Sequence, residues 1–558
     1  MKKLIKTTSV LLVIFLLASL FYGCSKNDNV TSKSNSDEST TKQEASSTQQ
    51  SNTNTNDSDK KLFGGLKLPI VDKPITLTYF VPNSYPTVLK TYNDIKMYQI
   101  QEKDTGIHIE FIHPPAGQET DQLNLLIASN DLPDIIETNP LTYPGGPEKL
   151  LQDNVAVEIQ DLIDKYAPNF KNLFVRYPEV KKQISTDAGK MYCFPWLNFY
   201  DVQLVYMGHI IREDWLNNLS LEMPQTIDDW YNILTAFKER DPNGNGEKDE
   251  IPYIAIKYER LDPFCYAWGL TSDFYVENGN IKYGAIEPRF KDYLSTMRKW
   301  YSEGLIDPDY ASTDSKQFDS KATSNIGGAF YGYSGGQIRT YMTLMEQNDP
   351  NYKLAGTRYP VLERGQKPPI GHRINMFYGG GSALITGSNK YVKETVHWLD
   401  YNYSPKGHML CNYGIEGESY VMDNGYPRYT DNIAKTPNGF IDELTKYTRF
   451  VGNGPWENGK EAQIQYMAHP ASIQAIENWS QTEKGHILPP ITPTQEDSLR
   501  LNSIMNEINT YKSEMLNKFI MGQEPLDKYD DFVSTLRKMN IEKAIKIQQS
   551  ALDRYNKR

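Results

Sequence analysis

The feature that most constrains this chain is an alternation of short strand-like and longer helix-like stretches, which begins near Leu66 and continues through most of its length. Pro74-Ile75-Thr76-Leu77-Thr78-Tyr79-Phe80 alternates small polar with apolar residues, as a half-buried strand does. Helical spacing follows over Leu89–Glu102, then a second strand pattern over Ile107–Ile112, a helix starting near Glu119, and a short apolar strand at Asp134–Glu137. Elements in that order predict βαβ units, and hence an α/β fold of mainly parallel sheets flanked by helices. The pattern recurs in the helical blocks Ile227–Glu239 and Phe290–Glu303 and in the strand–helix pair Gly381–Ile385 and Tyr391–Tyr403. From Thr494 onward only helices are legible, Ser498–Phe519 and Tyr529–Lys557, parted by Gly522-Gln523-Glu524-Pro525. With 558 residues, such a chain can close a large core without disulfide or metal staples.

The first 65 residues are of another kind. Lys2, Lys3 and Lys6 precede an apolar run from Val10 to Tyr22, too short to span a bilayer comfortably and laid out as an export signal. It closes at Gly23-Cys24, a pair that resembles the bacterial lipoprotein box. That resemblance implies a signal peptide over 1–23 and a lipidated (palmitate-type) Cys24 as the mature N-terminus. Residues 25–60 hold 21 Ser, Thr or Asn and no aromatic residue, too little apolar surface to offset the entropy of ordering. Residues 24–65 therefore read as a lipidated cysteine and a flexible tether, with a reach on the order of 30–35 Å.

Charge and cysteine usage exclude more than they select. Lys+Arg number 59 against 70 Asp+Glu, a net charge of -11. This offers no sequence-wide field for nucleic acid or anionic lipid, so membrane contact is expected through the anchor alone. The 38 tyrosines outnumber 20 Phe and 8 Trp, and a ring with a hydroxyl suits a wet interface or a polar ligand. Cys193, Cys265 and Cys411 are an odd set, of which one pair could still close. No CxxC, HExxH or P-loop string occurs, and no internal repeat of the kind an adhesion scaffold would show.

The sharpest local motif is Asp241-Pro242-Asn243-Gly244-Asn245-Gly246-Glu247-Lys248-Asp249-Glu250. Asp241, Asn243 and Asn245 fill loop positions 1, 3 and 5, Gly246 position 6 and Asp249 position 9 of an EF-hand-like pattern. Pro252 stands where the closing Glu belongs, and Glu250 can close the shell early instead. Six oxygens, one of them the Glu247 carbonyl, suit Ca²⁺ rather than zinc and leave no open position for catalysis. The competing reading is an Asx-rich turn that binds nothing.

Five strings occur in order: Ile211-Arg212-Glu213-Asp214-Trp215-Leu216, Met223-Pro224-Gln225-Thr226-Ile227-Asp228-Asp229, the loop Asp241–Pro252, Glu303-Gly304-Leu305-Ile306-Asp307-Pro308 and Gly414-Ile415-Glu416-Gly417-Glu418-Ser419-Tyr420. Together they resemble the extracellular solute-binding lipoproteins of carbohydrate ABC importers, in the subgroup of alginate-oligosaccharide and aldouronate binders, over Pro74 to Arg558. The resemblance implies a two-lobed, periplasmic-binding-protein-like fold, type II-like, that closes on ligand and docks on the transmembrane subunits of an ABC permease. It further implies a structural Ca²⁺ held by Asp241, Asn243, Asn245, Glu247, Asp249 and Glu250. Its boundaries would be an N-lobe over 66–200 plus about 373–410, a C-lobe over 201–372 plus about 411–493, and C-terminal helices over 494–558 packing on the lobes.

A sugar ring offers C–H faces and hydroxyls, so its site needs aromatic platforms beside polar groups in a cleft. Loop segments that combine the two place Trp196 first and Trp268 second, followed by Tyr331, Tyr333, Phe377, Tyr378, Glu416, Tyr420 and Trp456, with Asn83 as a polar candidate. Trp215, Trp230, Trp300 and Trp398 lie in helical patterns and read as core. Arg212 could grip a carboxylated sugar, although a brace to Asp214 is the stronger reading. The expected protein is a monomeric oligosaccharide receptor on the outer face of the cytoplasmic membrane, without catalysis. The alternative is a surface-anchored polysaccharide-degrading enzyme, a glycoside hydrolase or lyase, needing two carboxylates across a glycosidic bond.

Overall fold

The computed structural model describes residues 62–63 and 65–558, apart from 347, 437, 438, 451 and 452. The export signal, Cys24 and nearly all of the tether lie outside the described residues.

Two main sheets are built from β1 (Ile75–Phe80), β2 (Ile107–Ile112), β3 (Ile135–Thr138), β4 (Phe194–Leu197), β5 (Met207–Arg212), β6 (Ile251–Tyr253), β7 (Gly327–Tyr333), β8 (Leu354–Gly356) and β9 (Phe377–Ile385). The first runs β2-β1-β3-β9-β4 and the second β8-β5-β7-β6. In the first, the expected βαβ units form: β1 is parallel to β2 and β3, with Ile75 opposite Ile107 and Tyr79 opposite Ile135. The crossovers carry the helices Lys96–Thr105 and Glu119–Ser129.

The sheets are mixed rather than mainly parallel. β9 runs antiparallel to β3 and β4, and β5 runs antiparallel to β7 and β8, leaving β6 on β7 as the parallel pair of the second sheet. The reason is connectivity. β9 enters the first sheet from β8 of the second, not through a crossover helix, so no βαβ geometry fixes its direction.

The helix Ile227–Glu239 forms where its spacing predicts, because Thr226 and Asp229 exchange side-chain-to-backbone hydrogen bonds, each of 3.0 Å, in a capping box. Trp215, Trp230, Trp300 and Trp398 are all in the core. The stretch 89–102 is helical only from Lys96, since Thr91 caps a separate short turn at Tyr92–Asp94. The expected helix Tyr529–Lys557 is two, Tyr529–Lys538 and Ile541–Tyr555, broken where Asn540 adopts a left-handed φ of 70°.

One core gathers residues from 66–197 with 377–411 and Trp456, and another gathers 211–329 with the helices of 501–547. The chain passes between the sheets at three places that touch. Asn198 N–H donates to Met376 O (2.9 Å), Leu197 N–H to Trp456 O (3.1 Å) and Asn458 N–H to Leu197 O (2.9 Å). At the far end, Arg554 and Arg558 both pair with Asp187. Cys193, Cys265 and Cys411 are buried and free, so the pair left open by the sequence does not close. Among the described residues no helix is long and apolar enough to cross a membrane.

Candidate functional site

The site begins with a cross-strand pair. Tyr378 on β9 lies opposite Trp196 on β4, and their rings meet edge to face at 5.6 Å and 82°. Beyond this pair the register slips before Ala383 meets Phe194. Gly381 sits in that irregularity. A Cβ there would stand 2.7 Å from Gly454 N and 2.9 Å from Trp196 Cβ, so the glycine is required by the chain's own packing, which seats the indole. The second sheet supplies a matching pair. Tyr333 ends β7 opposite Met207, and Tyr206, one residue earlier, stacks on it at 6.1 Å and 9°.

Between these pairs lies a cavity of about 460 Å³. The helix Lys460–Tyr466 contributes Gln463 and Tyr466 to its wall, and Phe450 and Met467 add apolar surface. Gln203, Asn453 and Asn458 add amides. Gln203 Oε1 accepts from Phe199 N–H (2.9 Å) and its Nε2 donates to Asn458 O (2.7 Å), which fixes it. Three buried polar atoms lack a partner: the Trp196 indole N–H, Asn458 Oδ1 and Asn198 Nδ2, although Asn458 Nδ2 donates to Asn198 Oδ1 at 2.9 Å. Such atoms cost about 1–3 kcal/mol each when left dry, a penalty that a polyhydroxylated ligand or ordered water removes. His372 packs edge-on against Tyr206 at 4.6 Å, and burial, with Arg260 nearby, pulls its pKa down to about 4, so the ring is neutral near pH 7.

A larger hollow, of about 880 Å³, opens between Pro168–Arg176 and Pro405–Tyr413. Its wall carries the Arg176–Glu457 ion pair (3.1 Å) and the His408 imidazole, and its tyrosine, Tyr403, has its hydroxyl bound to Pro195 O (2.6 Å). Without platforms it does not suit a sugar.

The Asp241–Glu250 loop leads from the helix Ile227–Glu239 into β6. Asp241 accepts from the N–H groups of Asn245 (3.1 Å) and Gly246 (3.0 Å), and Gly246 takes a φ of 80°. Asn245 Nδ2 lies 3.2 Å from both oxygens of Asp249. With these amides interposed, no group of three or more His, Cys, Asp or Glu stands ready to hold a metal among the described residues. Yet both carboxylate oxygens of Glu250 are covered and have no hydrogen-bond partner. Burial first, with smaller contributions from Asp249 and Asp241, raises the Glu250 pKa against the opposing pull of its own backbone N–H. A covered, unpaired carboxylate among oxygen donors fits a hard cation. Asn243 Nδ2 donates to Asn325 O (3.1 Å), two residues before β7 starts, whereas Tyr333 is at the other end of β7. The loop and the cavity are thus separated by roughly 20 Å of strand.

Residues 76–409 match the family described as bacterial extracellular solute-binding protein. The chain belongs to that family. It is 27% identical over 531 residues to the fructooligosaccharide ABC transporter substrate-binding protein FusA of Streptococcus pneumoniae serotype 4, covering 90% of this chain and 94% of FusA. The S. pneumoniae FusA structure in complex with kestose superposes with a TM-score of 0.71 at 25% identity, covering 86% of this chain and 99% of FusA. The alginate-binding protein AlgQ2, in a structure without calcium ion, gives a TM-score of 0.72 at 24% identity, covering 87% and 99%. Membership in a solute-binding family with the two-lobed fold decides against the polysaccharide-degrading enzyme.

Of the residues expected to bind ligand, this solute-binding protein brings Trp196, Tyr333 and Tyr378 to one cavity. The others do not line it. Asn83 donates to Leu89 O (2.9 Å) and accepts from Tyr85 N–H (2.9 Å), serving its own turn. Trp268 packs on Tyr293 (6.0 Å) in the second core, while Tyr331 is buried with its hydroxyl 3.3 Å from that of Tyr359. Phe377 and Trp456 belong to the first core. Glu416 is exposed on a turn, and Tyr420 is buried against Tyr413. Arg212 forms the expected brace, donating from Nε (2.9 Å) and Nη2 (2.6 Å) to Asp214. Tyr206, Tyr466 and the amides of Gln203, Asn453, Asn458 and Gln463 had no comparable signal. Only the position of Tyr206, just before the apolar β5 stretch, marks it as a loop aromatic.

Proposed function

We propose that this protein is the oligosaccharide-capturing component of an ABC importer, and that the sugar binds between the Trp196–Tyr378 and Tyr206–Tyr333 pairs. The observation that carries this reading is the cavity itself, in which rings from both sheets face amides, and in which the buried Trp196 indole N–H and Asn458 Oδ1 lack partners. The name of FusA supports the assignment to sugar import. Aromatic faces take the C–H surfaces of a sugar, and the unpaired polar atoms take its hydroxyls. The three adjacent passages at 197–207, 374–377 and 456–458 serve as the hinge, which shifts toward a closed state when ligand bridges both lobes. The lobes follow the boundaries 66–200 with about 373–410 and 201–372 with about 411–493. The stretch near Arg449 reaches back to Glu137 of the first sheet.

Asp241, Asn243, Asn245, Asp249, Glu250 and the Glu247 carbonyl hold Ca²⁺, whose charge offsets the Glu250 carboxylate and fixes the loop on its sheet edge. A FusA structure described as an EF-hand mutant is consistent with such a site in a relative. Cys24 carries the lipid, so the protein works as a monomer on the outer face of the membrane and hands its sugar to the permease. Calorimetry and tryptophan fluorescence with fructo-, xylo- and galacto-oligosaccharides test the reading. Saturable binding that weakens about thirtyfold in Trp196→Ala supports it, and binding that survives in this variant unchanged places the site elsewhere.

A further inference from the structure

We infer that the ligand of this cavity is an uncharged oligosaccharide rather than a uronate. The inference rests on the sugar-binding reading above and narrows it. The shared fold does not decide the matter, because one structural neighbour binds alginate and another holds kestose.

Among the described residues, no side chain lining the cavity carries a charge. Its polar groups are neutral: the four amides of Gln203, Asn453, Asn458 and Gln463, the Ser334 hydroxyl, the phenols of Tyr206, Tyr333, Tyr378 and Tyr466, and the Trp196 indole N–H. Two arginines stand against rings of the wall without lining the cavity themselves. The Arg260 guanidinium lies 5.1 Å from the Tyr333 ring centre and donates to Tyr331 O (3.4 Å). That of Arg339 lies 4.6 Å from Phe440 and 5.7 Å from Tyr466. Arg449 is fully buried in its pair with Glu137 (2.8 Å). A carboxylate entering this space would give up its water and meet no fork of donors in return.

The unpaired atoms point the same way. Whichever way the two amides are turned, Asn198 and Asn458 satisfy each other once and keep one donor and one acceptor unmade. A hydroxyl both donates and accepts, so it can serve both; a carboxylate accepts only. The Trp196 indole N–H asks for an acceptor, which a hydroxyl or a carboxylate oxygen provides alike, so the discrimination rests on the amide pair and the uncharged wall.

The test is isothermal calorimetry on the tethered-head protein in calcium-containing buffer, with kestose, raffinose and xylotriose set against trigalacturonate and an alginate trimer. The expected result is saturable binding of a neutral trisaccharide, with the uronates at least about tenfold weaker. Its affinity should also change little between low and high salt. A second variant, Gln463→Lys, puts a cation on the wall and should shift the ratio toward the uronates. Tighter binding of a uronate by the parent protein overturns the inference while leaving the sugar reading intact. Binding of neither class by protein that melts cooperatively overturns the sugar reading, and the inference with it.

Discussion

The two ends of β7 carry opposite kinds of polar surface. Beside Gly327, where β7 starts, the Asp241–Glu250 loop crowds carboxylates together and leaves the oxygens of Glu250 covered and without a donor. At Tyr333, where the strand ends, amides and aromatic rings surround a space that no charged side chain of the described residues enters. One end is short of positive charge, and the other is short only of hydroxyl partners. The same strand can serve both because some 20 Å of buried backbone separates them, so an ion held at one end would act on rigidity and a ligand at the other would be met by the cavity alone. Other buried charged groups among the described residues have partners, an opposite charge in Arg212–Asp214 and Arg449–Glu137 or neutral donors at Asp400, which accepts from Asn169 Nδ2 and Phe170 N–H, and this sets Glu250 apart.

The largest effect should come from breaking a pair that the cavity wall leans on. Arg449, next to the lining residue Phe450, is fully buried and donates to Glu137 from both Nη atoms, at 3.1 and 2.8 Å. Glu137→Ala would leave that guanidinium without its counter-charge and should cost about 3–5 kcal/mol in chemical denaturation. The double variant Glu137→Leu with Arg449→Met should recover most of the loss. If the single variant is as stable as the parent, pairing is not what permits charge inside this fold.

Calcium removal comes next. A site filled at 100 to 1,000 times its Kd stabilises the folded state by about 2.7–4.1 kcal/mol, so chelator should lower the Tm and excess calcium should restore it. Asp241→Ala should melt at the chelated temperature and be indifferent to calcium. A parent Tm that ignores both reagents removes the ion from the loop.

At the other end of the strand, Trp196→Ala should weaken sugar binding by about 2 kcal/mol, roughly thirtyfold, which is the loss typical of a buried aromatic anchor. The Tm response to chelator should be unchanged in that variant. Ligand affinity that collapses on chelation alone would instead join the two ends of β7 into one site.

How much of this was legible beforehand differs between the two ends for a physical reason. The loop is ten consecutive residues whose donors recur on every second position, so spacing alone reveals it. The cavity joins residues from 196 to 467 whose only common property is where β4, β5, β7 and β9 end. Trp196 and Tyr378 stood out as aromatics beside turn residues, but nothing local distinguishes Tyr466 from a core tyrosine on the helix Lys460–Tyr466. Trp456 carried the same signature of glycine, proline and aromatic and is buried. The βα alternation at 75–138 was legible because local crossovers dictate it, whereas the direction of β9 depends on a connection from the other sheet.

A smaller effect concerns pH at the loop. Burial and the neighbouring Asp249 and Asp241 raise the folded pKa of Glu250. For an acid shifted upward, the contribution to stability is fully present below the unfolded pKa and is lost as pH rises through the folded value. In chelator, Glu250→Gln should therefore melt above the parent at pH 7, with the gap closing as pH falls below the ordinary glutamate range. In calcium the order should reverse, because the carboxylate then has its partner. Differential scanning calorimetry across this range reads both slopes, and a gap of one sign in both buffers would show that Glu250 does not face the ion.

The smallest expected change is at Trp268, whose sequence surroundings resemble those of Trp196. Its ring packs on Tyr293, its carbonyl accepts from Arg289 Nη1 (3.1 Å), and it lies in the second core rather than on the cavity wall. Trp268→Phe keeps an aromatic ring in that contact, so the affinity for a neutral trisaccharide should stay within about twofold of the parent, with at most about 1 kcal/mol lost in stability. The contrast with Trp196 is the point of the experiment. Both tryptophans sit beside backbone that bends, but Trp196 has a buried indole N–H without a partner and a ring partner on the neighbouring strand of its sheet. A tenfold loss of affinity in Trp268→Phe would mean that the sugar reaches past Tyr206 toward the second core, and the recognition surface would then have to be extended to the residues around Arg289.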